Sequence, residues 1–231
     1  MIDDEPAMAV RRSPVPARAV ALVLHGGSEH GTAVVRPWRL AYLRMVPFAK
    51  ALHAAGAAQG LEVRLLRNRV RGWNAPTLDP VRDARWALDR IRAETPDVPV
   101  LLVGHSMGGR VALRVADDPA VTAVCALAPW TPEGEPVEPV RDRSVLIAHG
   151  TRDRMTSPEA SHAYARRAAG TAARLARFEV ADEGHAMLRK SAVWNRFVTG
   201  FAAGELDWPG QDGVPASAWS APADLRLRLA L

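Results

Sequence analysis

The sequence predicts an α/β protein, a mostly parallel sheet of about six strands with helices on both faces. Three observations carry that reading. Short runs rich in valine and leucine recur along the chain and are apolar throughout instead of alternating, as strands buried on both faces require. Nearly all the intervals between them are long enough for a crossover helix, and the clearest of these intervals places its apolar residues at helical spacing. With 231 residues and 48% hydrophobic content, the chain can build one sizeable core and is marginal for two.

Strands are expected at residues 19–25, 61–67, 98–105, 121–128, 144–149 and 174–180. Between the first two, 46–58 reads as a helix with Pro47 in its first turn, where a missing N–H does no harm. Residues 80–93 follow, with Val81, Ala84, Leu88 and Ile91 on one stripe and Arg82, Asp83, Arg85, Asp89 and Arg90 outside it. Further helices fit 107–116, 158–169 and 186–202, the last burying Leu188, Trp194, Phe197 and Phe201. The interval from 128 to 144 is the exception, because Pro129, Pro132, Pro136 and Pro139 make it an irregular loop. From Gly204 the chain turns loop-like, through Trp208-Pro209-Gly210, Pro215 and Pro222, until an apolar ending at 225–231. Residues 1–18 read as an N-terminal extension too proline-rich to supply two further strands, 19–202 as the domain, and 203–231 as a tail packing on or near it.

Composition narrows the function classes. No apolar stretch approaches the roughly 18 residues of a membrane-spanning helix. The acidic start Met1-Ile2-Asp3-Asp4-Glu5-Pro6 is not followed by a signal-peptide core, so a cytoplasmic enzyme without a membrane partner is expected. Cys125 is the lone cysteine, which excludes an intramolecular disulfide and a zinc site built on several thiolates. The net charge of +5 arises from 30 basic against 25 acidic residues, and all the basic ones except Lys50 and Lys190 are arginines. They are scattered among acids. The densest run, Arg64, Arg67, Arg69 and Arg71, lacks the interleaved aromatics of a single-strand binding groove, so no nucleic-acid partner is expected. His25, His30, His105 and His149 show no metal-ligand spacing, and neither a metal nor another cofactor is expected.

The strongest chemical signal is Gly104-His105-Ser106-Met107-Gly108-Gly109, a G-x-S-x-G sequence between an apolar run and a helical segment. Glycines at 104 and 108 let the chain turn sharply and hold Ser106 at the tip. The Met107 N–H then opens the helix, where it can donate to a developing oxyanion. A hydroxyl is a poor nucleophile unless a base takes its proton and a third group orients that base. Two loops beyond strand ends offer such groups: Asp153 after 144–149, and His185 after 174–180. Asp182 and Glu29 stand as alternative acids.

Four motifs in order, Leu24-His25-Gly26-Gly27, Gly104-His105-Ser106-Met107-Gly108-Gly109, His149-Gly150-Thr151-Arg152-Asp153 and Glu183-Gly184-His185, make residues 19–202 resemble the α/β-hydrolase superfamily, as a small capless member. The resemblance implies Ser106 as nucleophile, His185 as base and Asp153 as its orienter. It implies a second oxyanion donor in the segment after the first strand, assigned to the Gly27 N–H with Ser28 as the alternative. The activity it implies is hydrolysis of a small-molecule carboxylic ester or thioester through an acyl-enzyme. A peptidase or amidase with the same triad and a non-catalytic binding module are the alternatives. Where relatives carry a cap, the stretch 129–143 is too short for a helical lid. An open site is therefore expected, with Met107, Trp73, Trp130, Met155 and Met187 as candidate rim residues, Ser28 and His30 as further substrate-binding candidates, and residues 28–42 as a segment that could partly cover it.

Overall fold

The computed structural model describes residues 5–208, 218–223 and 225–231. One sheet runs through the molecule, built from β1 (Ala7–Arg11), β2 (Ala19–Leu24), β3 (Leu61–Arg67), β4 (Val100–His105), β5 (Val121–Leu127), β6 (Ser144–Gly150), β7 (Arg174–Val180) and β8 (Leu229–Ala230). Their spatial order is β1-β3-β2-β4-β5-β6-β7-β8, parallel throughout except for β1, which lies antiparallel on β3. The continuous apolar runs become the interior strands, and β2, β4 and β6 are buried along their whole length.

Two strands beyond the six expected are both edge strands. β1 is half-buried to exposed and so lacks the continuous apolar run that marks an interior strand, while β8 is two residues long. Proline in residues 12–18 leaves room for that single antiparallel strand before β2.

Helices α1 (Leu40–Leu43), α2 (Val46–Gly56), α3 (Asp79–Glu94), α4 (Met107–Arg114), α5 (Pro158–Ala168) and α6 (Ser191–Glu205) complete the layers. One face of the sheet is covered by Phe48 and Leu52 of α2 with Trp194, Phe197 and Phe201 of α6. The other is covered by Leu88 and Ile91 of α3, Val111 and Leu113 of α4, and Tyr164 of α5. Pro209, Gly210 and Pro215 of the loop-like tail, and Met1 to Asp4 of the acidic start, lie outside the described residues.

Two expectations about the helices are corrected. Asp83 does not face solvent: it is buried, because its carboxylate accepts the Arg69 backbone N–H at 2.8 Å and the Arg69 Nε–H at 2.6 Å. The last helix does not begin at 186, and Leu188 is 68% exposed. Met187 takes a left-handed backbone, and the buried Glu183 carboxylate captures the Lys190 N–H at 2.8 Å and the Trp194 Nε1–H at 3.3 Å, so helix starts only at Ser191.

The proline-rich connection between β5 and β6 carries only a 3₁₀ turn, Glu138–Val140, and forms no helical cap. It is pinned by charge. Buried Glu135 pairs with Arg110 at 2.6 Å and with Arg114, and the Arg110 guanidinium packs on the rings of both Trp73 and Trp130, 3.9 and 4.4 Å from their centroids. A loop that would otherwise be free is thereby fastened to α4.

Two central strands lead into buried histidines. His25, just after β2, donates from Nδ1 to the Gly26 carbonyl at 2.6 Å and accepts the Asn68 N–H on Nε2 at 3.1 Å. His105, ending β4, donates from Nε2 to the His185 carbonyl at 3.0 Å. Burial lowers both, to about 4 for His25 and about 3 for His105; Arg67 adds to the effect at His25, and the His185 ring, 4.7 Å away, adds to it at His105. Both imidazoles are neutral at pH 7. Because their folded values lie below the ordinary value of about 6.5, the unfolded chain binds protons that the folded chain does not. Their contribution is therefore present above pH ~6.5 and is lost as pH falls toward 4. Urea unfolding free energies measured from pH 7 to 4.5 should fall with acid, and His105→Gln should flatten that slope. Equal slopes in the two proteins would contradict the assignment of a neutral buried ring.

Candidate active site

The site lies at the C-terminal edge of the parallel strands, beside the point where the chain order reverses around β2, which has β3 on one side and β4 on the other. Ser106 follows β4 directly, with φ +58° and ψ −120°, a conformation that costs a non-glycine residue on the order of 1–3 kcal/mol. Its surroundings hold it there. The Ser106 N–H donates to the Leu127 carbonyl at 2.9 Å, and its own carbonyl accepts the N–H groups of Arg110 and Trp130, each at 3.1 Å. The elbow also requires close backbone approach. A Cβ on Gly104 would sit 2.2 Å from the Gly108 carbonyl oxygen, and one on Gly108 would sit 2.4 Å from that of Leu24, so only glycine fits either place.

His185 is delivered by the turn after β7, which Glu183 secures by accepting the N–H groups of Gly184 and Lys190. Its Nε2 lies 3.0 Å from Ser106 Oγ and its Nδ1 lies 2.7 Å from Asp153 Oδ2. Asp153 sits in the turn after β6 with its side chain fully buried. One of its oxygens accepts the N–H groups of Met155 and Thr156, and the other faces His185, His149 at 3.1 Å and the Thr156 hydroxyl at 2.9 Å. Burial alone would push this carboxyl up. The hydrogen bonds from His149, His185 and Thr156 outweigh it and hold the group well below the usual carboxylate range. It is ionised at any pH at which the protein would work.

The other acids lie elsewhere. Asp182 points to solvent and pairs with Arg152 at 2.7 Å, with both side chains 65% exposed. Glu29 borders the site, at 3.8 Å from His30 on the surface. Among the described residues, neither the Gly27 nor the Met107 N–H donates to another protein group, while the Ser28 N–H is committed to the Arg71 carbonyl at 2.9 Å. Of the two residues considered for a second oxyanion donor, Gly27 therefore has the free N–H.

A cavity of about 310 Å³ surrounds Ser106, bounded by Gly27, Ser28, Glu29, Met107, Trp130, Met155, Thr156 and His185. Met155 stands at its mouth, 79% exposed. The remaining candidates are not in it. Trp73 is buried in the core under α3 and α4, Met187 is buried against α6, and His30 is exposed outside the cavity. Sequence reasoning overlooked Thr156 and underrated His149. Thr156 is legible in retrospect as the end of an Asp-x-x-Thr turn, in which the aspartate accepts N–H groups two and three residues on. The sequence shows for His149 only the absence of metal-ligand spacing. His149 is fully buried behind Asp153, with its Nδ1 2.9 Å from the Ser161 hydroxyl, and only the turn that brings 149 and 153 together reveals the contact.

No helix among the described residues is long and apolar enough to cross a membrane. Residues 74–196, more than half of the chain, match the family model described as an alpha/beta hydrolase domain. Over 100 residues the chain is 33% identical to monoglyceride lipase of Mus musculus, an alignment covering 43% of this chain and 30% of that protein. Among solved structures, a serine hydrolase without a lid from Xanthomonas campestris matches with a TM-score of 0.62 at 20% identity, over 87% of this chain and 88% of the other. A propionate-bound thermophilic esterase from Thermogutta terrifontis matches with a TM-score of 0.64 at 18% identity, over 93% and 94%. Both structural likenesses are statements about fold. Together with the family match, the eight-stranded sheet and the elbow at its edge, they lead to one conclusion: the chain belongs to the α/β-hydrolase family.

Proposed function

We propose that this protein is a serine hydrolase that cleaves a short-chain carboxylic ester or thioester through an acyl-enzyme, with Ser106, His185 and Asp153 as its triad. The observation that carries the reading is the unbroken hydrogen-bonded line from Ser106 Oγ through both nitrogens of His185 to the buried Asp153 carboxylate. In this reading His185 Nε2 takes the hydroxyl proton as Ser106 Oγ attacks the carbonyl carbon. The N–H groups of Gly27 and Met107 meet the negative charge that develops on the carbonyl oxygen. The imidazolium is stabilised by Asp153 and returns its proton to the departing alcohol or thiol. Water then repeats the sequence on the acyl-enzyme and frees the acid and the serine. Ester substrates are also the kind of substrate named for the lipase and esterase relatives.

Ser106→Ala should lower kcat on 4-nitrophenyl butyrate by about 10⁴-fold or more, since triad members act as a unit. Asp153→Asn should fold normally, as read by circular dichroism, yet lose several orders of magnitude in kcat, because an amide cannot stabilise the imidazolium. Asp182→Asn should leave kcat within about twofold. A larger loss from Asp182→Asn than from Asp153→Asn would assign the acid to the wrong residue.

The cavity also sets a chain length. With no helical cap over it, burial worth roughly 0.8 kcal/mol per methylene should stop accruing after a few carbons. A 4-nitrophenyl ester series should therefore peak in kcat/KM at about two to six acyl carbons. The same acyl groups presented as thioesters and as amides separate esterase, thioesterase and amidase. A steady rise to long chains would show an acyl tunnel and contradict this reading.

A further inference from the structure

The wall made by Gly27 and Ser28 is shared between the Ser106 cavity and a second, larger groove of about 500 Å³. The far side of that groove is formed by residues 35–41 as the chain enters α1, and it carries Arg36, Trp38, Arg39 and Leu40, with Arg71 at a third corner. Elsewhere in the fold the arginines that matter to packing have carboxylate partners: Arg64 with Glu62, Arg69 with Asp83, Arg110 with Glu135, and Arg177 with Glu179. Among the described residues, Arg36, Arg39 and Arg71 have no carboxylate within ion-pair distance. The Arg71 guanidinium is held by the Ser28 hydroxyl at 3.2 Å, which fixes it at the boundary of the two cavities. Behind them, Arg67 spends its guanidinium on the Val35 carbonyl at 2.7 Å, so it too adds positive charge without a compensating acid. Glu29 lines the Ser106 cavity and not this groove. Trp38 and Leu40, 70% and 77% exposed, add an apolar lip beside the charges.

Like charges gathered in one concavity repel one another and focus a positive field into it, an arrangement that a bound anion relieves. Guanidinium groups match phosphate and carboxylate oxygens in geometry as well as charge. We infer that the groove receives an anionic group of the substrate, so that the ester or thioester hydrolysed at Ser106 bears a phosphate or carboxylate on the part lying over Gly27 and Ser28. The inference rests on the hydrolase reading above and deepens it by naming a substrate class.

The test compares two pairs of esters matched in leaving group: 4-nitrophenyl butyrate with mono-4-nitrophenyl glutarate, which adds a carboxylate on the acyl side, and 4-methoxyphenyl butyrate with 4-(phosphonooxy)phenyl butyrate, which adds a phosphate on the alcohol side. The readout is the ratio of kcat/KM, after subtraction of uncatalysed hydrolysis, for each anionic ester to that for its neutral counterpart within the same protein, so that leaving-group reactivity and any general change in catalysis cancel. For the wild-type protein at least one ratio should exceed about 10, and which one does so tells carboxylate from phosphate and acyl side from alcohol side. In Arg36→Gln/Arg39→Gln that ratio should fall about 10-fold or more, and in the wild type it should fall as NaCl rises from 20 to 500 mM, since exposed ion pairs are screened. Calorimetric titration of the Ser106→Ala protein with phenyl phosphate reads the groove without turnover, and its Kd should weaken about 10-fold in the same arginine variant. Ratios near one for both anionic esters, or ratios unmoved by the arginine changes, would overturn the inference while leaving neutral-ester hydrolysis intact. Absence of Ser106-dependent hydrolysis of every ester would instead overturn the hydrolase reading, with the phenyl phosphate titration still deciding the groove.

Discussion

The arrangement depends above all on the backbone of Ser106, held at positive φ between β4 and α4. A serine in that conformation is sustained only because its N–H and carbonyl are both occupied, by Leu127 on one side and by Arg110 and Trp130 on the other. The two glycines beside it let α4 approach β2 and β4 at distances no side chain allows, so Met107 opens the helix next to the serine with an N–H that no other protein group among the described residues takes up. The Glu135 clasp on Arg110 then serves the elbow as well as the loop, because Arg110 and Trp130 are the two residues whose N–H groups bind the Ser106 carbonyl.

Charge is placed with equal economy around this point. Asp153 is buried yet ionised, since each of its oxygens is satisfied by donors from its own turn and from His149 and His185. His25 and His105 are buried and neutral, and each ties a strand end to a loop of the site, one through the Gly26 carbonyl and the other through that of His185. The positive charge lies outside, in the groove of Arg36, Arg39 and Arg71. The Asp153 carboxylate thus faces His185 from the interior, while the neighbouring groove carries several positive charges.

Much of this was legible in the residues. The six interior strands could be read because burial on both faces leaves an unbroken apolar run, and the elbow because two glycines at fixed spacing flank a serine between a strand and a helix. β1 was not, because an edge strand with one wet side has no such run, and 186–190 was misread as helix because Leu188 looked like part of the apolar stripe of α6. The unpaired arginines were equally hidden. Along the chain they are scattered among acids, and only the path of residues 28–42 past β3 gathers Arg36 and Arg39 beside Arg71 with no carboxylate between them. Asp83 failed in the opposite direction: a charge on a helix reads as solvent-facing until its partner, here Arg69 fourteen residues back, is located in space.

The central claim is that the fold at residue 106 activates one serine above all others in the chain. Treatment of the native protein with a fluorophosphonate, followed by tryptic mass mapping, measures this directly, because the peptide of residues 93–110 contains Ser106 and no other serine. The account predicts a single phosphonylated peptide, 93–110, with no adduct in protein unfolded in urea before treatment. An unmodified 93–110 peptide in native protein, or modification at Ser28 or another serine instead, would contradict it.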